Sequence, residues 1–266
     1  MGTRLEKVLQ RRRDAGRKSI FIYITAGCPD VETSLDAIRL AEENGADVIE
    51  LGLPFSDPMA DGPVIQEASV KALQAGMNLD RAKALVKRVR ETSEIPILGM
   101  GYINNMLYYG FEAFVEDFKA AGMDGVIIPD LPHEESGDMR EICRAHDFHL
   151  AEFVTPLTTA ARMKETCRDA SGFIYCVSNT GVTGVKEVDY SAISSVVTEA
   201  RKHTSVPLAV GFGIGSPEAA VAAAKEADGV IVGSAVVKHI LKGDLPAAAA
   251  LITSMRKALD RTYRDA

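Results

Sequence analysis

Two carboxylates stand where carboxylates are costly. Glu50 interrupts the apolar run Val48-Ile49-Glu50-Leu51, and Asp61 follows in the proline-rich loop after it. A buried charge needs a partner, a raised pKa or a polar cavity. One carboxylate at a strand end and one in the next loop can face a single small cavity and move protons there. The residues alone leave a second reading open, in which Asp61 caps the helix starting near Pro63 and Glu50 makes a buried ion pair.

A second set of residues suits an anion. Gly184, Gly211-Phe212-Gly213 and Gly233-Ser234 follow three successive apolar runs. Backbone without a Cβ can approach an anion closely and donate its N–H groups. Gly233-Ser234 also opens a helix, whose N-terminus favours negative charge. One such cluster is weak, because glycine after a strand is often only a turn; three in consecutive loops point to a phosphate site. The chain has no Walker or dinucleotide fingerprint, so a small phosphorylated metabolite fits better than a nucleotide. Between carboxylates and phosphate, Tyr23, Met100, Ile127, Phe153 and Phe212 offer an apolar lining. Core packing explains each of them singly, and together they suit a flat aromatic body. Tyr175 joins the list near the end of its strand.

These positions need strands that end at one face. The pattern gives strands over 19–25, 47–51, 96–101, 125–129, 149–154, 172–177, 207–210 and 229–232. Helices alternate with them at 30–44, 63–76 with 79–91, 111–121, 134–145, 159–169, 190–203 and 217–226. A short helical stretch at 103–109, another after Ser234 and a last helix at 245–263 complete the chain. The strands are short, nearly continuous apolar runs, as parallel strands buried on both faces should be. Eight strand–helix units in 266 residues favour a single-domain α/β (β/α)8 TIM barrel over an open sheet. The additional amphipathic helix at 4–13, with Leu5, Val8 and Leu9 on one face, is expected to close the bottom of the barrel. Catalytic residues of such a barrel lie at the C-terminal ends of its strands. Strand two alternates, so Val48 and Glu50 share a face and Glu50 points into the barrel mouth.

Composition narrows the classes. A net charge of −7 argues against a nucleic-acid binder. The basic run in residues 1–18 reads as a solvated helix face. No apolar run reaches the length of a membrane span, so no membrane association is expected. Four cysteines, Cys28, Cys143, Cys167 and Cys176, show no metal spacing and read as free thiols in a reducing cytoplasm. The five histidines form no ligand cluster, and a metal at His146 and His149 is not expected.

The runs IELGLPFSDPMADGP, SNTGVTG, GFGI and VGSAVVK closely resemble the tryptophan synthase alpha subunit family, and the likeness covers essentially the whole chain. The resemblance implies a (β/α)8 barrel that cleaves indole-3-glycerol phosphate to indole and glyceraldehyde 3-phosphate, with Glu50 and Asp61 as the catalytic pair. It implies that Gly184, Gly213, Gly233 and Ser234 hold the phosphate, that Tyr175 lies beside the substrate, and that Phe212 packs on the indole. It implies that residues 178–187 form a lid, with Thr183 reaching Asp61. No cofactor is expected in this chain. The expected partner is a pyridoxal-phosphate-dependent beta subunit, met by the loop 54–62 in an α2β2 heterotetramer that passes indole between subunits. Two residues depart from the family pattern. Cys28 stands where aspartate is usual, and Tyr23 where phenylalanine is common, which leaves pocket fit open.

Three other readings remain at this point. A sugar-phosphate isomerase on the same barrel could use Cys28 and Asp130. A free-standing lyase could release indole without a partner. A non-catalytic subunit could bind phosphate only to activate a partner; the presence of both carboxylates argues against it.

Overall fold

In the computed structural model, which describes residues 2–177 and 191–263, aliphatic and β-branched runs form one parallel sheet. Its strands are β1 (Ser19–Thr25), β2 (Val48–Gly52), β3 (Ile97–Met100), β4 (Gly125–Ile127), β5 (His149–Leu150), β6 (Glu152–Val154), β7 (Ile174–Val177), β8 (Leu208–Gly211) and β9 (Gly229–Val232). The sheet order is β5-β4-β3-β2-β1-β9-β8-β7-β6. The first and last members, β5 and β6, are separated only by Ala151. They are two halves of one strand, so the sheet closes on itself as an eight-stranded TIM barrel with helices outside.

The expected single strand at 149–154 is therefore split. Its first half pairs with β4 and its second with β7, while the Ala151 N–H still donates to the Val126 carbonyl at 3.0 Å. The helix expected from residue 134 begins later. His133–Glu135 is a single 3-10 turn, and the α-helix is Gly137–Ala145. Elsewhere the described elements match the sequence reading to within a few residues at their ends.

Register stacks the inward side chains in layers. Phe21 pairs with Val48 and Ile231, and Tyr23 pairs with Glu50, which pairs in turn with Leu98. Leu5 and Leu9 of the helix Arg4–Asp14 pack into the same interior cluster as Phe21, Val48, Leu98 and Phe173. That helix is fixed by a capping box between Thr3 and Glu6. It plugs the N-terminal end of the barrel, and each fully buried leucine contributes about 1.5–3 kcal/mol.

Three aspartates tie that same end together in one way. Asp47, Asp124 and Asp228 each immediately precede a strand, β2, β4 and β9. Each donates its backbone N–H at 2.8 Å to the carbonyl of a neighbouring strand's residue, Ile20, Ile97 or Leu208. Each carboxylate then accepts that residue's own N–H, at 2.9, 2.8 and 2.8 Å. Arginines balance the charge: Arg12 and Arg256 on Asp47, Arg4 and Arg90 on Asp124, Arg201 on Asp228. The C-terminal end of the barrel is left free for other chemistry.

Candidate active site

Glu50 occupies the middle of β2 and is 3% exposed. Among the described residues no cation pairs with it, and its Oε2 is buried with no hydrogen-bond partner. Burial, reinforced by the charge of Asp61, pushes its pKa up to about 8. The ion-pair reading of Glu50 is thereby excluded within the described chain. Asp61 lies at the end of the loop after β2 and is 8% exposed. It does not cap the following helix, Pro63–Gln74, whose N-cap is Gly62 without a side-chain bond. Its pKa rises to about 6 through burial, opposed by a hydrogen bond from Tyr102. At neutral pH the site thus holds one protonated and one ionised carboxyl, a pair suited to a general acid beside an anion.

Tyr102 has no counterpart in the sequence reading. It is 2% exposed, just beyond β3. Its hydroxyl accepts the Ala60 N–H at 3.0 Å, and Phe55 stacks on its ring at 5.4 Å. It therefore grips the Asp61 loop at two points. Its one signal in the sequence is position, an aromatic residue directly after a barrel strand.

The other expected residues line the same end. Tyr23 sits on β1 beside Glu50. Burial and the nearby carboxylates raise its phenol well above the ordinary range, so it remains a neutral hydroxyl. Gly52, Met100 and Ile127 are successive partners in register. Tyr175 stacks on Phe153 at 5.1 Å and meets the edge of Phe212 at 6.2 Å. Ring faces of this kind form a slot for a flat aromatic group. A Cβ at Gly211 would fall 2.4 Å from the Tyr175 ring, so that glycine is required by the tyrosine.

Two of the three glycine clusters, those after β8 and β9, lie side by side. Phe212 and Gly213 have φ of 77° and 75°, consecutive left-handed residues that turn the chain sharply after β8. Phe212 is held there at a steric cost that a glycine would avoid. A Cβ at Gly215 would touch that of Ala235 at 4.0 Å, and one at Gly233 would lie 3.5 Å from Tyr23. The loop after β8 therefore lies beside the N-terminus of the helix Ser234–Leu241. Val236 N–H already donates to the Gly233 carbonyl at 3.0 Å, which leaves the first N–H groups of the helix, at Ser234 and Ala235, to suit a phosphate. Thr183, Gly184 and the expected lid 178–187 lie outside the described residues.

The isomerase reading loses its nucleophile. Cys28 is 1% exposed and burial pushes its thiol up to about 11. Asp130 is engaged elsewhere, accepting the Ile103 N–H at 2.9 Å. Cys28, Cys143, Cys167 and Cys176 are all buried and unpaired. His149 is bonded to Thr3 Oγ1 at 2.8 Å, at the opposite end of the barrel.

Comparison with known proteins points to one family. A family model described as the tryptophan synthase alpha chain matches residues 9–262. The alpha chain of Caldanaerobacter subterraneus subsp. tengcongensis is 42% identical over 240 residues, 90% of this chain and 91% of that one. That of Geobacter sulfurreducens is 46% identical over 222 residues, 84% of each. Among solved structures, tryptophan synthase subunit alpha from Legionella pneumophila str. Paris aligns with a TM-score of 0.90 at 35% identity, covering 98% of this chain and 100% of that chain. A Mycobacterium tuberculosis tryptophan synthase chain aligns with a TM-score of 0.90 at 34% identity, over 97% and 99%.

Proposed function

Because this chain belongs to the tryptophan synthase alpha chain family, we propose that Glu50 and Asp61 carry out its half-reaction. That half-reaction is the retro-aldol cleavage of indole-3-glycerol phosphate to indole and glyceraldehyde 3-phosphate. The observation that carries the residue assignment is Glu50 itself, a buried carboxyl with an unpartnered oxygen and no cation within reach in the described chain.

The bond to be broken joins indole C3 to the glyceryl side chain. It breaks once C3 is protonated, because the ring nitrogen then becomes an electron-pair acceptor. Protonated Glu50 supplies that proton. Asp61, ionised, accepts the indole N–H and stabilises the positive charge that grows on the ring. Glu50 then takes the proton of the adjacent glyceryl hydroxyl. That oxygen becomes the aldehyde, the carbon–carbon pair returns to the ring, and Glu50 ends as it began. Proton count and charge both balance.

Tyr175, Phe212, Tyr23, Met100 and Ile127 are assigned to the indole slot. Gly213, Gly233 and Ser234, with Gly184, are assigned to the phosphate. The chain is assigned no cofactor of its own. Members of the family pair with a beta subunit, and we assign this chain to an α2β2 heterotetramer whose pyridoxal phosphate resides in the partner. The apolar side chains Met59 (80% exposed) and Tyr108 (94% exposed) follow β2 and β3 on the active-site rim, which supports docking of a partner there. No described helix is long and apolar enough to cross a membrane; the four unpaired thiols suit a cytoplasmic setting.

Indole release from indole-3-glycerol phosphate, with and without a tryptophan synthase beta subunit, tests the reading. Slow cleavage alone and strong stimulation by the partner are expected. Full-speed cleavage alone would remove the partner assignment, and no cleavage in either mixture would overturn the function.

A further inference from the structure

Asp61 must meet a ring N–H at a fixed place, yet it sits in a loop with prolines at 54, 58 and 63. Near Asp61 the bonds are short-range: Met59 N–H to the Asp57 carbonyl at 2.9 Å and Asp61 N–H to the Pro58 carbonyl at 3.1 Å, with the Gln66 side-chain amide of the following helix donating to the Asp61 carbonyl at 2.9 Å. None of them fixes the loop to a barrel strand. Tyr102 does, through the Ala60 N–H and the stacked Phe55.

Tyr102 in turn is the N-cap of the seven-residue helix Ile103–Tyr109 and makes no side-chain cap of its own. A helix start without a capping acceptor is weakly held. The missing acceptor comes from another loop. Asp130, three residues past the end of β4, accepts the Ile103 N–H through Oδ1 at 2.9 Å. Among the described residues Asp130 makes no ion pair. The half-exposed carboxylate therefore has one structural task, to fix the start of that helix and the tyrosine that precedes it.

We propose that Asp130 is a positioning residue for the cleavage reaction: by capping the helix Ile103–Tyr109 it fixes Tyr102, and Tyr102 fixes the loop that presents Asp61. The inference rests on the assignment of Asp61 above. It deepens that assignment by naming two residues that touch no reacting atom and still set the geometry of the anion. Small misplacements of a catalytic group cost large factors in rate, so such a chain is visible in kcat before it is visible in substrate affinity.

The groups that bear on Asp61 from its surroundings are Glu50 on β2, Tyr102 after β3, Tyr23 on β1 and Tyr175 on β7. Of these, only the hydroxyl of Tyr102, the tyrosine held by Asp130, favours its ionised form. A purely structural role for Asp130 would alter melting temperature and leave the ionisation of Asp61 where it is.

The test uses the full chain with saturating beta subunit and indole-3-glycerol phosphate. Asp130→Ala is expected to lower kcat about tenfold with KM changed less than about twofold. It is also expected to move the acid limb of the kcat/KM profile upward. Asp130→Asn keeps an acceptor oxygen and is expected to stay within about twofold of the parent. Tyr102→Phe is expected to shift the acid limb upward by roughly one pH unit, further than Asp130→Ala does. Circular dichroism and melting temperature establish that each variant is folded. An unmoved acid limb and unchanged kcat in folded Asp130→Ala would overturn the proposal, and so would equal losses in the alanine and asparagine variants. Failure of the parent to cleave the substrate would instead count against the assignment of the reaction.

Discussion

The hydroxyl of Tyr23 fills the place where a side chain at Gly52 would begin: a Cβ there would lie 2.0 Å from the phenolic oxygen and 2.4 Å from Cζ. β1 thus covers part of β2 just above Glu50. Gly52→Ala is expected to drive the ring out of that position, cutting kcat/KM by at least about tenfold and costing about 1–3 kcal/mol of stability. Steady-state kinetics and urea melts read both. Tyr23→Phe should not rescue it, because the ring carbon still collides. An active, stable Gly52→Ala protein would show that the ring lies elsewhere.

The two carboxyls set a pH window. Turnover needs Asp61 ionised, which fails as pH falls through about 6. It also needs Glu50 protonated, which fails as pH rises through about 8. The profile of kcat/KM is expected to be a bell between these values. Asp61→Asn should abolish turnover across the range, since a neutral amide cannot balance the ring cation. A flat profile from pH 5 to 9 would remove both groups from the rate-limiting step.

The same burial makes Glu50 a liability for folding. An unfolded Glu50 carboxyl loses its proton near 4.5, while the folded one keeps it to about 8. Between those values the native state binds the extra proton, so stability falls as pH rises. Below 4.5 both states are protonated and this contribution to stability is fully present. Glu50→Gln removes the ionisation and keeps the shape. It is expected to be inactive, and more stable than the parent at pH 8 by roughly 2–5 kcal/mol. Equal urea midpoints at pH 8 for the two proteins would contradict the buried, unpaired state of this carboxyl.

At the other end of the barrel a carboxylate does the opposite. Asp124 is 4% exposed, accepts the Ile97 N–H, and meets both Arg4 and Arg90. Asp124→Ala leaves the buried Ile97 N–H without its acceptor and Arg90 without its anion, while Arg4 keeps Glu94. A loss of about 3–5 kcal/mol is expected, with kcat unchanged in the folded fraction. A large fall in kcat at full folding would mean that the two ends of the barrel are coupled.

Much of the barrel was legible because its strands are unbroken apolar runs. Residues 19–25 and 229–232 were read to the residue, since turns of glycine, proline or aspartate bound them sharply. The split at Ala151 left no mark, because alanine inside HLAEFV looks like any buried strand position; the break is a matter of which neighbour each half pairs with. The 3-10 turn at His133–Glu135 was hidden behind two glutamates that favour helix locally, and the α-helix instead starts at Gly137. Glu50 and Asp61 stood out as charges in apolar or stiffened sequence. Tyr102 did not, because a tyrosine after a strand reads as core. Asp130 stands out as a residue at a strand end, paired with Cys28 only in the isomerase alternative. Its task depends on Ile103, twenty-seven positions earlier, a contact that no local pattern encodes.

The three aspartate ties have a bearing on how such a chain can change over generations. They sit at the strand starts, and the reacting groups sit at the strand ends and in the loops beyond. Substitutions that reshape the indole slot or the anion cradle leave every one of those ties intact. A lineage can therefore try new substrates at the rim without loosening the opposite end of the barrel, which acts as a reservoir of mutational tolerance.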